Sequence, residues 1–228
     1  MKIIGINGSP RKGGNSEILL KIALDSLPCE TEQINLREYD IKRCLACGTC
    51  GKDKKTGKYQ DCVMKGKDDV NMIYDKLLEA DGFIIATPVY FGLPTPLLVD
   101  FMNRSRYLRH QDFKLLNKVF AVIAVAGRRS GGNETTIITT WLPFFRNGCI
   151  PVGNMDKSCQ FGTVGWGSAK GDVLLDEWGI VQAKDTAKRV LELATIIKAG
   201  KCAINFSNPY KFDYPSGSIK QFIKDVQK

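Results

Sequence analysis

The chain has 228 residues, of which 43% are hydrophobic and 25% are charged, and its formal net charge is +9 at pH 7. This composition excludes a disordered, collagen-like or disulfide-scaffold protein and predicts an ordinary buried core. The longest apolar run, 119–126, is far shorter than the roughly 18 residues that a membrane helix needs. The first ten residues resemble a strand rather than a cleavable signal, so we expect a cytoplasmic protein without a membrane-spanning segment.

Strands and helices alternate along the chain. Short apolar or β-branched runs predict five strands, at 2–7, 31–36, 82–87, 119–126 and 149–152. Apolar residues at helical spacing predict a helix after each strand, and Pro143 should kink or shorten the fourth helix. This alternation is typical of a parallel α/β sheet with crossover connections. The segment from 200 to 228 is a basic extension to which the sequence assigns no structure.

Three loops, after the first, third and fourth strands, carry the residues suited to binding. Ligands of open parallel α/β sheets bind at the carboxyl ends of the strands, where these loops lie. The first loop, GSPRKGGNS at 8–16, combines glycines with hydroxyl, amide and cationic donors. It opens into a helix N-terminus, which favours an anion, but it matches neither a P-loop nor a dinucleotide fingerprint.

The other two loops complete the predicted site. The loop TPVYFGLP at 87–94 presents the aromatic side chains of Tyr90 and Phe91, on which a planar ligand could stack. The loop GRRSGGNE at 127–134 again places glycines beside amide and cationic donors ahead of a helix. Together the three loops predict a ligand that has both a phosphate and a flat ring system.

These loops resemble the FMN-binding loops of the flavodoxin-like NADPH-dependent FMN reductase superfamily, and within it those of the iron–sulfur flavoproteins. The resemblance covers residues 1–199 in order and spacing. It implies a doubly wound, flavodoxin-like α/β fold with a five-stranded parallel sheet of order 2-1-3-4-5. It also implies a flavin-dependent oxidoreductase, with an FMN-binding domain at 1–199, a cysteine-rich loop at 42–67 and an extension at 200–228.

The resemblance further implies which residues bind FMN. The first loop holds the phosphate through Ser9, Arg11, Asn15 and Ser16. The second loop lines the isoalloxazine with Pro88, Val89, Tyr90, Phe91 and Gly92. The third loop faces the other polar edge of the ring with Gly127, Arg128, Gly131, Gly132, Asn133 and Glu134.

Four of the eight cysteines form a C-x2-C-x2-C-x11-C motif, at Cys44, Cys47, Cys50 and Cys62. Such clustering in a cytosolic chain favours metal or redox chemistry over disulfides. Three thiolates spaced by three residues can surround one face of a cubane cluster, and a fourth can come from further along the chain. The motif resembles the [4Fe–4S] motif of iron–sulfur flavoproteins, from which it departs by a longer, lysine-rich last gap. We therefore expect these four residues to bind one [4Fe–4S] cluster.

Other interpretations stay open. A four-cysteine zinc site usually pairs two C-x2-C knuckles, and only one side of this motif has that spacing. A cluster-free NAD(P)H-dependent FMN or quinone reductase is a second enzymatic interpretation, and a flavodoxin-like electron shuttle or flavin-dependent sensor is a non-enzymatic one. The remaining cysteines are expected to be buried and inert: Cys29, Cys149, Cys159 and Cys202. His110, the single histidine, is expected to be solvated.

The charge distribution bears on the partners. The segment 42–67 holds eight Lys or Arg residues against two Asp, and such a positive rim would steer an acidic donor such as ferredoxin towards a cluster. NAD(P)H is the alternative donor, and a small molecule is the expected acceptor. The family resemblance also implies a homodimer or tetramer, with contacts from 161–171 and from the helix at 135. No nucleic-acid-binding motif accompanies the basic segments, so we expect no nucleic-acid partner.

Overall fold

The computed structural model describes residues 1–53, 56–128, 130–155, 157 and 160–211, so Cys159 and the tail residues 212–228 lie outside the described residues. The helices in the described part are α1 (Asn15–Asp25), α2 (Val70–Glu79), α3 (Pro96–Asn103), α4 (Arg106–His110), α5 (Asn133–Phe145) and α6 (Glu177–Ala203). The strands are β1 (Lys2–Asn7), β2 (Glu30–Asn35), β3 (Gly51–Lys52), β4 (Tyr59–Gln60), β5 (Gly82–Pro88), β6 (Val119–Ala126), β7 (Ile150–Pro151) and β8 (Thr163–Trp166).

The main sheet is parallel, and in the described part of the chain it has the order β2-β1-β5-β6-β7. The five predicted strands therefore lie in the predicted flavodoxin-like order, but the sheet in the described residues has six strands and not the five predicted. The sequence does not predict a sixth strand, β8, which pairs with β6 beside β7. Gly162, just before the strand, and Gly165 within it weaken the strand pattern in the sequence, because glycine is depleted in strands. Both are needed for space: a Cβ at Gly162 would lie 2.5 Å from the carbonyl oxygen of Val122, and one at Gly165 would lie 2.8 Å from Cδ2 of Leu19.

Helices cover both faces of the sheet, as in other doubly wound folds. α1 and α6 pack on one face, where Leu20 and Val190 belong to the same buried cluster. On the other face, α2, α3 and α5 contribute Tyr74, Phe101 and Phe144 to a second cluster. All eight residues of β6 are buried, which agrees with the uninterrupted apolar run that predicts a central strand.

Two helices differ in extent from the prediction. α5 begins at Asn133 and ends at Phe145, shortly after Pro143. α6 continues without a break to Ala203, so the predicted boundary between 199 and 200 falls inside this helix. The short helix α4 has no counterpart in the prediction, because five residues are too few to establish a helical period.

The cysteine-rich segment 42–67 connects β2 to α2. Its central part is a small antiparallel hairpin formed by β3 and β4. Arg104, at the end of α3, donates to the carbonyl oxygen of Lys42 at 2.9 Å and pairs with both carboxylate oxygens of Asp68. The side chains of Arg104 and Asp68 are fully buried. Arg104 therefore attaches both ends of the segment to the core, one through the hydrogen bond to Lys42 and the other through the ion pair with Asp68.

Replacement of Asp68 tests this attachment. Asp68→Ala is expected to lower the free energy of unfolding by about 3–5 kcal/mol, because it leaves the buried guanidinium without a counter-charge. Urea unfolding followed by circular dichroism measures the loss. Lys21→Ala is the control, since it removes an exposed ion pair with Asp25 on α1 and should cost only about 0.3–0.5 kcal/mol. Equal and small losses in both variants would contradict a structural role for the buried pair.

Candidate functional site

The loop between β1 and α1 leaves the start of the helix open to a ligand. α1 begins after Gly14, and no side chain caps its first N–H groups. The loop is shaped by its own polar groups: the side-chain oxygen of Asn7 accepts the N–H of Ser9 at 3.0 Å, and the Ser9 hydroxyl accepts the N–H of Arg11 at 3.2 Å. Uncapped N–H groups and the helix dipole together make this end of α1 an anion site.

A pocket lies in front of this helix end, at the carboxyl edge of the sheet. Four loops line it, with Ser9, Arg11, Lys12, Gly14, Asn15, Ser16, Pro88, Val89, Tyr90, Val125, Gly127, Gly167, Ser168 and Lys170. The structure thus brings the four predicted phosphate-binding residues together with three of the predicted ring-binding residues and one glycine of the third loop.

The fourth loop, which follows β8, is the part of the pocket that the sequence analysis missed. The side chain of Asn15 donates to the carbonyl of Ala169 and accepts the N–H of Gly171, both at 2.8 Å. This fixes the loop beside α1 and occupies both polar atoms of that side chain. The amine of Lys170 lies 3.0 Å from the position that a Cβ at Gly13 would take. Lys170 therefore lies beside the first loop and lines the same pocket as its exposed cations, Arg11 and Lys12.

The second loop turns sharply at the mouth of the pocket. Tyr90 and Leu93 exchange backbone hydrogen bonds of 2.9 and 3.0 Å, and the two residues between them have positive φ values, 52° for Phe91 and 80° for Gly92. This geometry is that of a type I′ turn, in which a bulky residue such as phenylalanine is strained. The side chain of Phe91 is fully exposed. Strain at an exposed aromatic residue beside a pocket marks it as a functional candidate.

The start of α3 touches the first loop. The hydroxyl of Thr95 accepts the N–H of Leu98 at 3.2 Å, which caps α3, and it donates to the carbonyl of Gly8 at 2.6 Å. The second loop and the first loop are thereby held in a fixed relation.

The residues predicted in the third loop divide into two groups. Gly127, Arg128 and Gly131 line a shallow continuation of the pocket, together with Val89, Tyr90 and Phe91. Asn133 is buried and donates to the carbonyls of Ala124 and Gly165 at 2.8 and 3.2 Å, so its side chain ties α5 to β6 and β8.

Four predicted residues do not line these two pockets: Gly92, Gly132, Asn133 and Glu134. A Cβ at Gly132 would lie 2.9 Å from the Cα of Gly92, which shows that these two glycines serve the close approach of the second and third loops. Glu134 is exposed in the first turn of α5.

The four predicted cluster-binding cysteines line one small pocket. Its other residues are Leu45, Ala46, Gly48, Val63, Met64 and Arg106. Burial raises the pKa of the Cys50 thiol, whereas hydrogen bonds from Thr49 lower the pKa of the exposed Cys47 thiol. In the described residues no group of three or more His, Cys, Asp or Glu side chains is arranged to hold a metal ion. Four soft thiols around one largely apolar pocket nevertheless match the donor chemistry of an iron–sulfur cluster.

His110 and the remaining cysteines differ in part from expectation. His110 is half-buried, with Nδ1 2.9 Å from the carbonyl oxygen of Cys50, and burial lowers its pKa; the prediction of a solvated residue is wrong. Cys149 is buried as predicted, and burial raises its pKa. Cys29 is half-buried and Cys202 is exposed, so the prediction of burial is wrong for Cys202. Cys159 lies outside the described residues.

Similarity to known proteins identifies the family. The model of the NADPH-dependent FMN reductase family matches residues 1–154. An iron–sulfur flavoprotein of Methanocaldococcus jannaschii is 40% identical over 201 residues, which cover 87% of this chain and 100% of that protein. The chain belongs to the iron–sulfur flavoprotein family. An iron–sulfur flavoprotein of Methanosarcina thermophila is 36% identical over 207 residues, covering 88% of this chain and 99% of that protein.

Solved structures of other proteins have the same fold as this chain. RosB with a bound intermediate has a TM-score of 0.67 at 16% identity, covering 94% of this chain and 91% of that chain. The Trp repressor binding protein of Bacillus subtilis has a TM-score of 0.56 at 23% identity, covering 81% and 96%. Family membership makes the chain a flavin-dependent oxidoreductase with FMN as its flavin. No helix in the described residues is both long and apolar enough to cross a membrane.

Proposed function

We propose that this flavoprotein passes electrons between a low-potential donor, a [4Fe–4S] cluster and FMN, and that it reduces a small acceptor. One observation carries the proposal: a single chain holds a pocket lined by four thiols and, separately, a pocket with an anion site next to aromatic surface. FMN supplies two-electron chemistry that can be divided into single electrons, which is the form in which a cluster transfers them.

In this proposal the FMN phosphate binds at the N-terminus of α1. The backbone N–H groups there, the hydroxyls of Ser9 and Ser16 and the cations of Arg11, Lys12 and Lys170 surround it. Charge-assisted hydrogen bonds of this kind are the strongest that a protein offers to a phosphate. Asn15 acts through its backbone and by holding the loop after β8, because both polar atoms of its side chain have partners.

The isoalloxazine then lies along the second and third loops. Pro88, Val89 and Tyr90 form one wall, and Gly127 and Arg128 lie at the other side. The positions without a side chain permit close approach of the backbone to the ring, and Phe91 stands at the open edge. The protein residues thus bind and orient the flavin and exclude water from one side of it.

Substitution in the first loop tests the flavin site. Arg11→Ala should weaken FMN binding by about 1.5–3 kcal/mol, the range for a hydrogen bond to a charged group, which corresponds to a Kd raised roughly tenfold to a hundredfold. Titration of the flavin-free protein, followed by quenching of flavin fluorescence, gives the Kd. Riboflavin lacks the phosphate, so its affinity should not change.

Lys21→Ala is the control for this experiment, because Lys21 lies on the same helix and outside the pocket. An equal loss of FMN and riboflavin affinity would place the phosphate elsewhere. A purified protein that has no flavin absorbance and takes up no FMN would contradict the site.

The β3–β4 hairpin explains how all four cysteines could bind one cluster although a long gap separates the third from the fourth. Gly51 pairs with Gln60 across the hairpin, so the chain that leaves Cys50 returns beside it before it reaches Cys62. Because the strands on both sides of the insertion pair with each other, its length does not separate the third and fourth thiols. This is the structural support for Cys62 as the fourth ligand, together with Cys44, Cys47 and Cys50.

Single Cys→Ser variants of these four residues test the cluster site. Each should lose or damage the cluster and retain FMN, because the flavin loops come from other strands. Iron and sulfide assays and the visible spectrum of anaerobically reconstituted protein measure the outcome. Cys202→Ser is the control, since this thiol is exposed and outside the pocket. Uptake of zinc without iron by the unmodified protein would exclude the cluster and favour the zinc interpretation.

Electron donation by ferredoxin rests on the charge around the cysteine pocket. Lys42 and Lys65 are engaged with Asp40 and Asp61 at 3.0 and 2.6 Å. Arg43 and Lys58 are exposed in the same segment. An acidic protein surface would be attracted to this side of the molecule.

If ferredoxin is the donor, the rate at which it reduces the flavin should depend on the salt concentration. Reduction of the flavin by reduced ferredoxin under anaerobic conditions should slow about tenfold or more between low and physiological ionic strength. The double variant Arg43→Glu, Lys58→Glu should lose most of this dependence. Lys188→Glu, an exposed charge reversal on α6, is the matched control. Rapid reduction by NADPH with no response to ferredoxin would instead support the cluster-free reductase.

A homodimer or tetramer also belongs to the proposal. Large apolar side chains are exposed on α5, on β8 and the segment before it, and just before and at the start of α6: Leu142, Phe145, Phe161, Trp166, Leu175 and Trp178. These include the two regions predicted to form subunit contacts, and a monomer rarely leaves so many such side chains in solvent. The oligomeric state and a cytoplasmic location stay predictions.

A further inference from the structure

Glu17 lies behind the wall of the pocket in front of α1 and is bonded to the first loop. It is the third residue of α1 and follows Ser16, which lines the pocket, whereas Glu17 itself does not. Its carboxylate accepts the N–H of Gly13 at 2.6 Å. Gly13 lies between Lys12 and Gly14, which both line the pocket. This hydrogen bond therefore fixes the first loop at the point where it turns into the helix.

The carboxylate of Glu17 has two opposite effects on an anion site. It steadies the turn before the helix, and the positive end of the helix dipole favours it there. A phosphate at the same helix end, however, would meet its negative charge, and like charges repel more strongly where water is largely excluded. The side chain of Glu17 is only 18% exposed. A phosphate can therefore bind well here only if that charge is offset.

Arg37, in the short turn after β2, supplies the opposite charge. One nitrogen of its guanidinium lies 2.9 Å from one carboxylate oxygen of Glu17, and the other donates to the second oxygen at 3.1 Å. The side chain of Arg37 is 11% exposed, so solvent screens the pair little. Arg37 also pairs with Glu38 at 2.8 Å, but that carboxylate is 51% exposed and its charge is screened by water.

The end of β2 contacts the first loop at a second point. Nδ2 of Asn7 donates to Oδ1 of Asn35 at 3.0 Å, while Oδ1 of Asn7 accepts the N–H of Ser9 at 3.0 Å. Asn7 is fully buried. Asn35 is the last residue of β2 and lies two residues before Arg37. The backbone that carries Arg37 is therefore fixed relative to the loop that Glu17 holds.

We propose that Arg37 determines the specificity of the pocket for a phosphorylated flavin. It neutralises Glu17, so that Glu17 can hold the first loop in shape without repelling the phosphate. The inference rests on the proposed function, because it requires the FMN phosphate at the N-terminus of α1. Arg37 and Glu17 act through the loop and are positioning residues. Riboflavin has no phosphate, so its binding should not depend on this charge balance.

Arg37→Gln tests the proposal, because it removes the positive charge and keeps a polar side chain. The Kd for FMN should rise about tenfold, since the charge of Glu17 would then repel the phosphate. The Kd for riboflavin should stay that of the unmodified protein. Titration of the flavin-free protein, followed by quenching of flavin fluorescence, gives both values. Arg189→Gln is the matched control and should change neither Kd, because Arg189 pairs with Glu192 at 2.8 Å on α6, outside the pocket.

The double variant Glu17→Gln, Arg37→Gln separates charge from support. A glutamine in place of Glu17 can still accept the N–H of Gly13, so the loop keeps its hydrogen bond. Because both charges are gone, the Kd for FMN should return to within about threefold of that of the unmodified protein. Arg37→Lys, which keeps the positive charge, should also retain most of the FMN affinity that Arg37→Gln loses.

Glu17→Gln alone is an independent measurement, and its affinity for FMN should not fall, because a negative charge near the phosphate is removed. A tenfold loss in that variant would overturn the inference. So would an unchanged FMN affinity in Arg37→Gln, or an equal weakening of both flavins that the double variant does not reverse. If the unmodified protein bound FMN no more tightly than riboflavin, the phosphate site of the proposed function would itself be wrong, so the two failures are distinguishable.

Discussion

The buried ion pair between Arg104 and Asp68 is the interaction on which the relation between the two candidate sites depends. Asp68 directly follows the cysteine segment, and Arg104 directly follows α3. At its other end, α3 is capped by Thr95, whose hydroxyl also donates to the carbonyl of Gly8 in the first loop. The residue before this short helix thus contacts the first loop, and the residue after it contacts both ends of the cysteine segment. Two fully buried charges persist only when they are paired, so the cysteine segment cannot shift without a large cost to the core.

The pocket in front of α1 follows from a general property of parallel sheets. The loops after β1, β5, β6 and β8 leave the sheet at the same edge, and each brings glycines and polar groups to it. Because backbone amides and a helix terminus supply much of the anion site, few side chains need to be of one particular type. The side chains of Asn15 and Asn133 consequently serve to hold loops and strands together.

Much of this arrangement is predictable from the sequence, for identifiable reasons. The apolar run of β6 predicts a central strand, and glycine-rich loops after strands predict the edge at which a ligand binds. Contacts between distant residues leave no such signal. Lys170 reaches Gly13 only because β8 pairs with β6, and propensity does not reveal β8. In the same way, nothing local to His110 indicates that it will meet the carbonyl of Cys50.

The hairpin between Cys50 and Cys62 has a consequence for how such proteins can diversify. Because its strands pair at the base, its outer part can grow, shrink or change charge while the thiols stay in place, and doubling the length of such a loop costs only about 0.6 kcal/mol. The length and charge of this hairpin and the spacing of the thiols at its base are in this way separable traits.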